Sequence, residues 1–480
     1  MRHPVIPDIH VGGVARTDSA RGARARRLCC AVLGALLATG AAASPSVYPT
    51  GVTSYEPDLA YGSYVVFGGA DGKTHLIDMD GNEVHRWAHF GFPSEILDPR
   101  LTGRRGDVLV QLSQVANARA ARTGTSLAPG EQLLHGNRTV GELDWSGKVL
   151  WEWGTQAPAG AARQHHDISR LPNGDTLILA NWIHAVPGFK ARPLFDDVIY
   201  EVTPTGAIVW QWVASEHLRE FGFSASSLRL LRRAGVADYL HINDMTPLGP
   251  NRWFDGGDAR FNPSNIMIDS RQANFIVIID RRSGRVVWRI GPSERSSLAD
   301  GTRVPRPIDQ TSGQHDAHLI PPGLPGAGDL LVFDNQGEAG YPLEPLAVLP
   351  GSRVLEINPV TKEIVWQYTA ADSNGPPWAF YSSFISSAQR LPNGNTLIDE
   401  GMDGRLFQVT RGGKIVWEYV SPYFAPAPLF GAMTVVSNYV YRAQSVPYDW
   451  VPAGTPHEQR AVIAPANASF RVLAELPAQR

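Results

Sequence analysis

A chain of 480 residues that is 43% hydrophobic and only 19% charged can bury a substantial core. Its 47 glycines and 37 prolines favour many short strands joined by tight turns over long helices. A formal net charge of −3, with no basic run in the body of the chain, argues against nucleic acid as a partner.

In chain order, the first feature is basic. Arg16, Arg21, Arg24, Arg26 and Arg27 precede an apolar run from Leu28 to about Leu37, and Ala41-Ala42-Ala43-Ser44 follows. This is the order of a secretory signal peptide, and its apolar run is too short to anchor the chain in a bilayer. Residues 1–43 therefore read as an over-long start with a signal peptide, and residues 44–480 as a single exported domain, periplasmic or secreted. Arg26-Arg27 leaves Sec and twin-arginine export both open. Both cysteines, Cys29 and Cys30, fall in the leader, so the processed chain has neither disulfide nor thiol nucleophile.

A repeat then runs through the chain. A strand carrying Asp or Glu leads into a turn, and a second strand reads apolar-apolar-Trp-polar-aromatic. The copies are His75–Trp87, Gly141–Trp153, Ile199–Trp212, Phe275–Ile290, Arg353–Tyr368 and Arg405–Tyr419. Trp151, Trp210, Trp288, Trp366 and Trp417 share one repeat position; the first copy has His85 there and Trp87 two residues on. Each copy has the alternation and turn residues of a β-hairpin. Between copies lie further strands with tight turns, as in Arg170–Asn181 and Arg390–Gly401, with weaker versions at Arg104–Leu112 and Gly326–Asn335. Four strands per unit and six units predict an all-β fold, a six-bladed β-propeller. The repeated tryptophans are expected between adjacent blades. Ser226–Gly235, with serine first, spaced leucines, late basic residues and a terminal glycine, predicts a short helical insertion.

Inner propeller strands line a central channel, so polar residues at their starts converge. His165-His166-Asp167, His241-Ile242-Asn243-Asp244 and Gln314-His315-Asp316-Ala317-His318 each open an inner strand, and Ser270-Arg271-Gln272 follows within one of those blades. Five of the 14 histidines thus occupy equivalent places in three successive blades. Buried imidazoles cost desolvation unless they are paired, so the set points to one shared polar cavity.

At these residues the chain resembles the bacterial arylsulfate sulfotransferases, which are six-bladed propellers. The family's H-x-N pair corresponds to His241 and Asn243, its Ser-Arg stretch to Ser270-Arg271, and its Gln-His stretch, which carries a transiently sulfated histidine, to His315. Its remaining histidine corresponds to His166 or His165. Val440-Tyr441-Arg442-Ala443 with Val446–Trp450 also looks like the family's ending. The resemblance covers about residues 60–452. The 30 residues from His241 to Arg271 are longer than the family's usual spacing and require an insertion. The N-terminal β-domain and the cysteine pair of some members are absent.

The resemblance implies transfer of a sulfuryl group from a phenolic sulfate ester to a phenol, with no cofactor and no metal. Sulfuryl transfer resembles phosphoryl transfer in keeping charge on the outer and leaving oxygens. Arg271 would hold those oxygens, Asn243 would donate its amide, His315 would attack sulfur, and His166 or His241 would move the phenolic proton. His165 and His318 would help to line the substrate site. Asp316 either orients an imidazole or serves as a strand-edge turn residue. No G-x-x-x-x-G-K loop is present, which argues against a nucleotide donor. Two rival readings stand: a metal-dependent hydrolase built on the five histidines, which the fixed charge of Arg271 opposes, and a non-catalytic propeller that binds a ligand.

Overall fold

The computed structural model describes residues 49–114, 136–292, 311–343, 351–430 and 433–463; the expected leader lies outside them. Six antiparallel sheets of four strands surround a channel, one of them extended by a fifth strand, with a separate two-stranded hairpin besides. From channel to rim, blade 2 holds Glu95–Ile96, Val108–Gln114, Asn137–Leu143 and Val149–Trp153. Blade 3 holds Gln164–Arg170, Thr176–His184, Leu194–Val202 and Ile208–Val213, and blade 4 holds Ile242–Pro247, Ile266–Ser270, Phe275–Ile279 and Val286–Ile290. Blade 5 holds His315–Leu319, Leu330–Asp334, Arg353–Ile357 and Ile364–Tyr368. Blade 6 holds Ser387–Arg390, Thr396–Glu400, Arg405–Val409 and Ile415–Val420, with Gly51–Tyr55 added at its rim.

Blade 1 closes the ring. Its inner strand, Ala443–Val446, comes from the C-terminal part of the chain and pairs with Tyr64–Gly68, followed by Thr74–Ile77 and Glu83–Trp87. The middle strands are buried on both faces because blades stack on either side, so they read as unbroken apolar runs such as Phe275–Ile279, whose five residues are all buried. Rim strands alternate, as in Ile364–Tyr368, because one face meets water.

The tryptophans lie between blades, as the repeat implies, with an unforeseen division of labour. In every blade an indole N–H reaches a backbone carbonyl in the rim hairpin turn of the next blade. The six bonds are Trp87 to Asp144, Trp153 to Gly206, Trp212 to Gly284, Trp288 to Pro359, Trp366 to Arg411 and Trp417 to Met79, at 2.8–3.2 Å. Blades 4 to 6 use the tryptophan of the shared repeat position, and blades 1 to 3 use the residue two further on. The displaced Trp151 and Trp210 instead lie beneath Arg170 and Arg281.

The helical insertion is Ala225–Arg233, capped by Ser224, whose hydroxyl accepts the N–H of Ser227 at 3.1 Å. It leads from blade 3 to the strand after His241. The long stretch between His241 and Arg271 holds two short helical turns, Arg252–Asp255 and Ala259–Phe261. Among the described residues no helix is long and apolar enough to cross a membrane.

Candidate active site

All six inner strands run in the same direction along the channel, so their first residues gather at one mouth. At four successive junctions the backbone there is left-handed at a residue with a side chain: Arg163 and His166, His241, Asp316, then Ile385 and Ser386, with φ from 48° to 92°. For isoleucine, a β-branched residue, this is strained. Here it turns the Ile385 N–H inward, where it donates to Nε2 of His315 at 3.0 Å.

His315 is fully buried. Its Nδ1 lies 2.7 Å from Asn335 Oδ1 and 2.9 Å from the Gly313 carbonyl, both of them acceptors, so Nδ1 carries the proton. Nε2 accepts the Ile385 N–H and therefore keeps its lone pair. Asn335 is fixed in turn, because its amide donates to the carbonyls of Ser382 and Ile385 at 2.7 Å each. Burial first, then the charge of Arg271, holds the His315 pKa well below the usual imidazole range, with His241 adding to the effect. The ring is neutral, with one defined tautomer.

Arg271 begins the tight loop after the second strand of blade 4. Its backbone N–H donates to the His241 carbonyl at 3.1 Å, which sets it beside that histidine. Its stem approaches Gly313, the same residue whose carbonyl receives the His315 proton. The guanidinium makes one long contact, Nη1 to Gln272 Oε1 at 3.5 Å, and its Nε is buried without a partner. Burial lowers its pKa. Asp269 and Asp280 are engaged elsewhere, Asp269 accepting the N–H of Ala317 and Asp280 capping its own turn, while the charges of Asp238 and Glu338 act on Arg271 without a hydrogen bond to it among the described residues. A half-buried cation that, among the described residues, forms no direct ion pair is poised for an anion.

His241 has its Nδ1 on the carboxylate of Asp238, a residue delivered by the helical insertion. Its ring centroid is 4.5 Å from that of His166. His166 also meets Phe92 at 5.1 Å and Tyr441 at 5.5 Å, and its Nδ1 shares a proton with Nδ1 of His165 at 2.8 Å. Of the neighbouring pair, His166 thus faces the site, whereas His165 stands behind it with Nε2 3.2 Å from Asp197.

One expected role, that of His318, needs correction, and the structure adds detail to those of Asn243 and Asp316. One N–H of the Asn243 amide donates to the carbonyl of Gln314 at 2.9 Å, which ties blade 4 to the residue before His315 and leaves the amide a second N–H. His318 lines a separate channel cavity of about 190 Å³ with Glu95, Asp167, Asp316 and Arg442, and none of His166, His241, His315 or Arg271 borders it. That follows from strand alternation, since residues 316 and 318 lie one and two layers further down the channel. The Asp316 carboxylate orients no site imidazole; it accepts the Ala388 N–H at 3.0 Å and pairs with Arg442 at 3.2 Å.

Asp238, Asn335 and Arg442 were not foreseen in these roles. Asp238 stands three residues before His241, a spacing that hinted at a pair. Asn335 ends an expected strand with nothing to distinguish it. Among the described residues no group of three or more His, Cys, Asp or Glu side chains is arranged to hold a metal ion.

The model of the arylsulfotransferase (ASST) family matches residues 104–419, which include every one of these residues except Phe92, Glu95, Tyr441 and Arg442. The chain belongs to the arylsulfotransferase family. It is accordingly a sulfotransferase, and the six-bladed propeller is the frame on which it works. No curated protein matches the chain in sequence. Among solved structures, it is similar to a protein of unknown function from Bacteroides caccae, with 14% identity over 80% of this chain and 98% of the other and a TM-score of 0.41. It is also similar to virginiamycin B lyase from Staphylococcus aureus, with 13% identity over 78% and 88% and a TM-score of 0.35. Likenesses this weak carry no argument about what this arylsulfotransferase family member acts on.

Proposed function

We propose that this sulfotransferase moves a sulfuryl group from a phenolic sulfate ester to a phenol through a sulfohistidine at His315, without a nucleotide donor. The observation that carries this reading is the pairing of a neutral imidazole, its lone pair held on Nε2, with a half-buried guanidinium that, among the described residues, forms no direct ion pair. In the first half-reaction Nε2 bonds to sulfur, the aryl S–O bond breaks, and its electron pair goes to the phenolate. His241, anchored through Nδ1 on Asp238, gives that phenolate a proton from Nε2. In the second half the acceptor phenol returns a proton to His241 and its oxygen attacks sulfur. The N–S bond then breaks, with its electrons returning to His315. Arg271 holds the outer sulfuryl oxygens throughout, and the Ile385 N–H, displaced from Nε2, is within reach of one of them. His166 and the aromatic rings of Phe92 and Tyr441 flank the reacting groups. The arginine-rich and apolar order of residues 16–44 supports export of the enzyme to the periplasm or out of the cell.

The test is release of 4-nitrophenol from 4-nitrophenyl sulfate with and without phenol, with a chelator in a parallel arm. Acceptor-dependent release, phenyl sulfate as product and indifference to the chelator are expected. Release that the chelator abolishes would favour a metal-dependent hydrolase, and no release in any arm would leave a ligand-binding propeller.

A further inference from the structure

Successive residues of the inner strands form layers down the channel. The first layer holds His166, His241 and His315. The second holds Asp167, Asp244 and Asp316, the residues that follow His166, Asn243 and His315. Two residues further along each strand come Ser169, Thr246 and His318, which line the 190 Å³ cavity, a volume that would hold about six waters. One side chain occupies the middle of the second layer. The Arg442 guanidinium lies 3.0 Å from Asp167, 3.1 Å from Asp244 and 3.2 Å from Asp316, and so spans three blades. Burial works against its charge, but the carboxylates outweigh that and raise its pKa. The layer is tied outward as well, since Asp167 accepts the Met245 N–H and Asp316 the Ala388 N–H, each at 3.0 Å. The preceding residue seals the same level: Tyr441 stacks on Phe92 at 3.8 Å and donates its hydroxyl to the Asn243 carbonyl at 2.8 Å. Arg442 borders the cavity beneath, whereas none of the site histidines does.

We propose that Arg442, clamped by Asp167, Asp244 and Asp316, is the floor of the site: a positioning residue that keeps water of the channel cavity from the sulfuryl group and so makes the enzyme a transferase instead of a sulfatase. The inference rests on the sulfohistidine reading above. The reaction it suppresses is hydrolysis of the adduct. In that step a water oxygen bonds to sulfur and the N–S bond breaks with its electron pair returning to His315. Sulfate leaves, and the two water protons pass to solvent or a nearby base. Removing the guanidinium opens a path between layers already only one residue apart, and leaves the phenol site itself intact.

The experiment supplies 4-nitrophenyl sulfate and phenol, and measures inorganic sulfate against phenyl sulfate. Arg442→Ala should raise that ratio at least about tenfold over the wild type, Arg442→Lys less, and millimolar guanidinium should bring the Arg442→Ala ratio back down. A merely structural arginine would lower both products together and leave the ratio unmoved. Because Arg442→Ala strands three buried carboxylates, the charge-balanced pair Arg442→Gln with Asp244→Asn is read in parallel, and the folded variant decides. A wild type that labels His315 with sulfuryl, beside a folded variant with an unchanged ratio, overturns this inference alone. A wild type that forms no adduct overturns the transfer reading and this one with it.

Discussion

A histidine can attack sulfur only through a bare ring nitrogen, and the arrangement around His315 selects which one. Two acceptors, Asn335 Oδ1 and the Gly313 carbonyl, hold the proton on Nδ1, and a donor from Ile385 faces Nε2. Asn335→Leu removes one acceptor and frees the loop at Ser382 and Ile385, so the wrong tautomer becomes populated. Adduct formation in single-turnover assays should slow roughly 10–100-fold, a partial version of the loss seen when a catalytic histidine is left in the wrong tautomer. Arg271 meets a different demand, charge at the sulfuryl oxygens. Arg271→Lys keeps the charge and loses the fork, so donor KM should change less than kcat, which should fall about 10²–10³-fold. If Asp269→Asn lowered kcat as much as Arg271→Lys and the double variant fell no further, Arg271 would instead serve the protein's own carboxylates. At this scale the sequence made the histidines and Arg271 visible, because three inner strands open with the same kind of residue. It hid Asn335 and Asp238, whose importance lies in the atoms they meet across blades. It also misled for His318: identity and spacing say that a residue nears the channel, not which layer it enters.

Among elements, the tryptophan ring shows how one repeat is joined to the next. A hairpin turn at a blade rim presents a carbonyl with no ladder partner, and the neighbouring indole N–H satisfies it. Trp153→Phe keeps the apolar contact and deletes only the bond to Gly206, so urea unfolding should show a loss of about 1 kcal/mol, the usual net value of one hydrogen bond. Trp151→Phe, whose ring lies under Arg170, leaves the Gly206 bond in place and should cost less. The repeat pattern identified the hairpins and the blade count, since six copies with alternation and turn glycines admit little else. It could not say which of two tryptophans would staple, because that depends on where the rim strand meets the next blade's turn. The helical insertion was legible from its serine and its leucine spacing. That it delivers Asp238 to His241 was not, because the pairing is decided by the turn that follows the helix.

At the scale of the molecule, the channel concentrates more carboxyl groups around Arg442 than one guanidinium can neutralise. Asp244, Asp269 and Asp399 are buried with pKa values raised well above the usual range, burial being the main cause of each, and Glu95 is pushed up to about 8. For Glu95 the direction is fixed by linkage: the native state holds a proton that the unfolded chain releases near pH 4.5, so between about 4.5 and 8 the native state binds more protons. Stability from this residue is therefore full at low pH and declines as pH rises across that window, after which it levels off. Glu95→Gln replaces the carboxyl with a group that is neutral at every pH. It should gain little at pH 5 and raise Tm by about 2 °C or more at pH 8.5, where a kcal/mol is worth roughly that in a chain of this size. Because Glu95 lines the same cavity as Arg442 and not the histidine layer, the gain should come without loss of transfer at pH 7. Paired melts of the two proteins across pH 5 to 9 give the answer, and parallel curves separated by a constant would show that Glu95 is ionised in the native state throughout, with Arg442 neutralising it across the cavity.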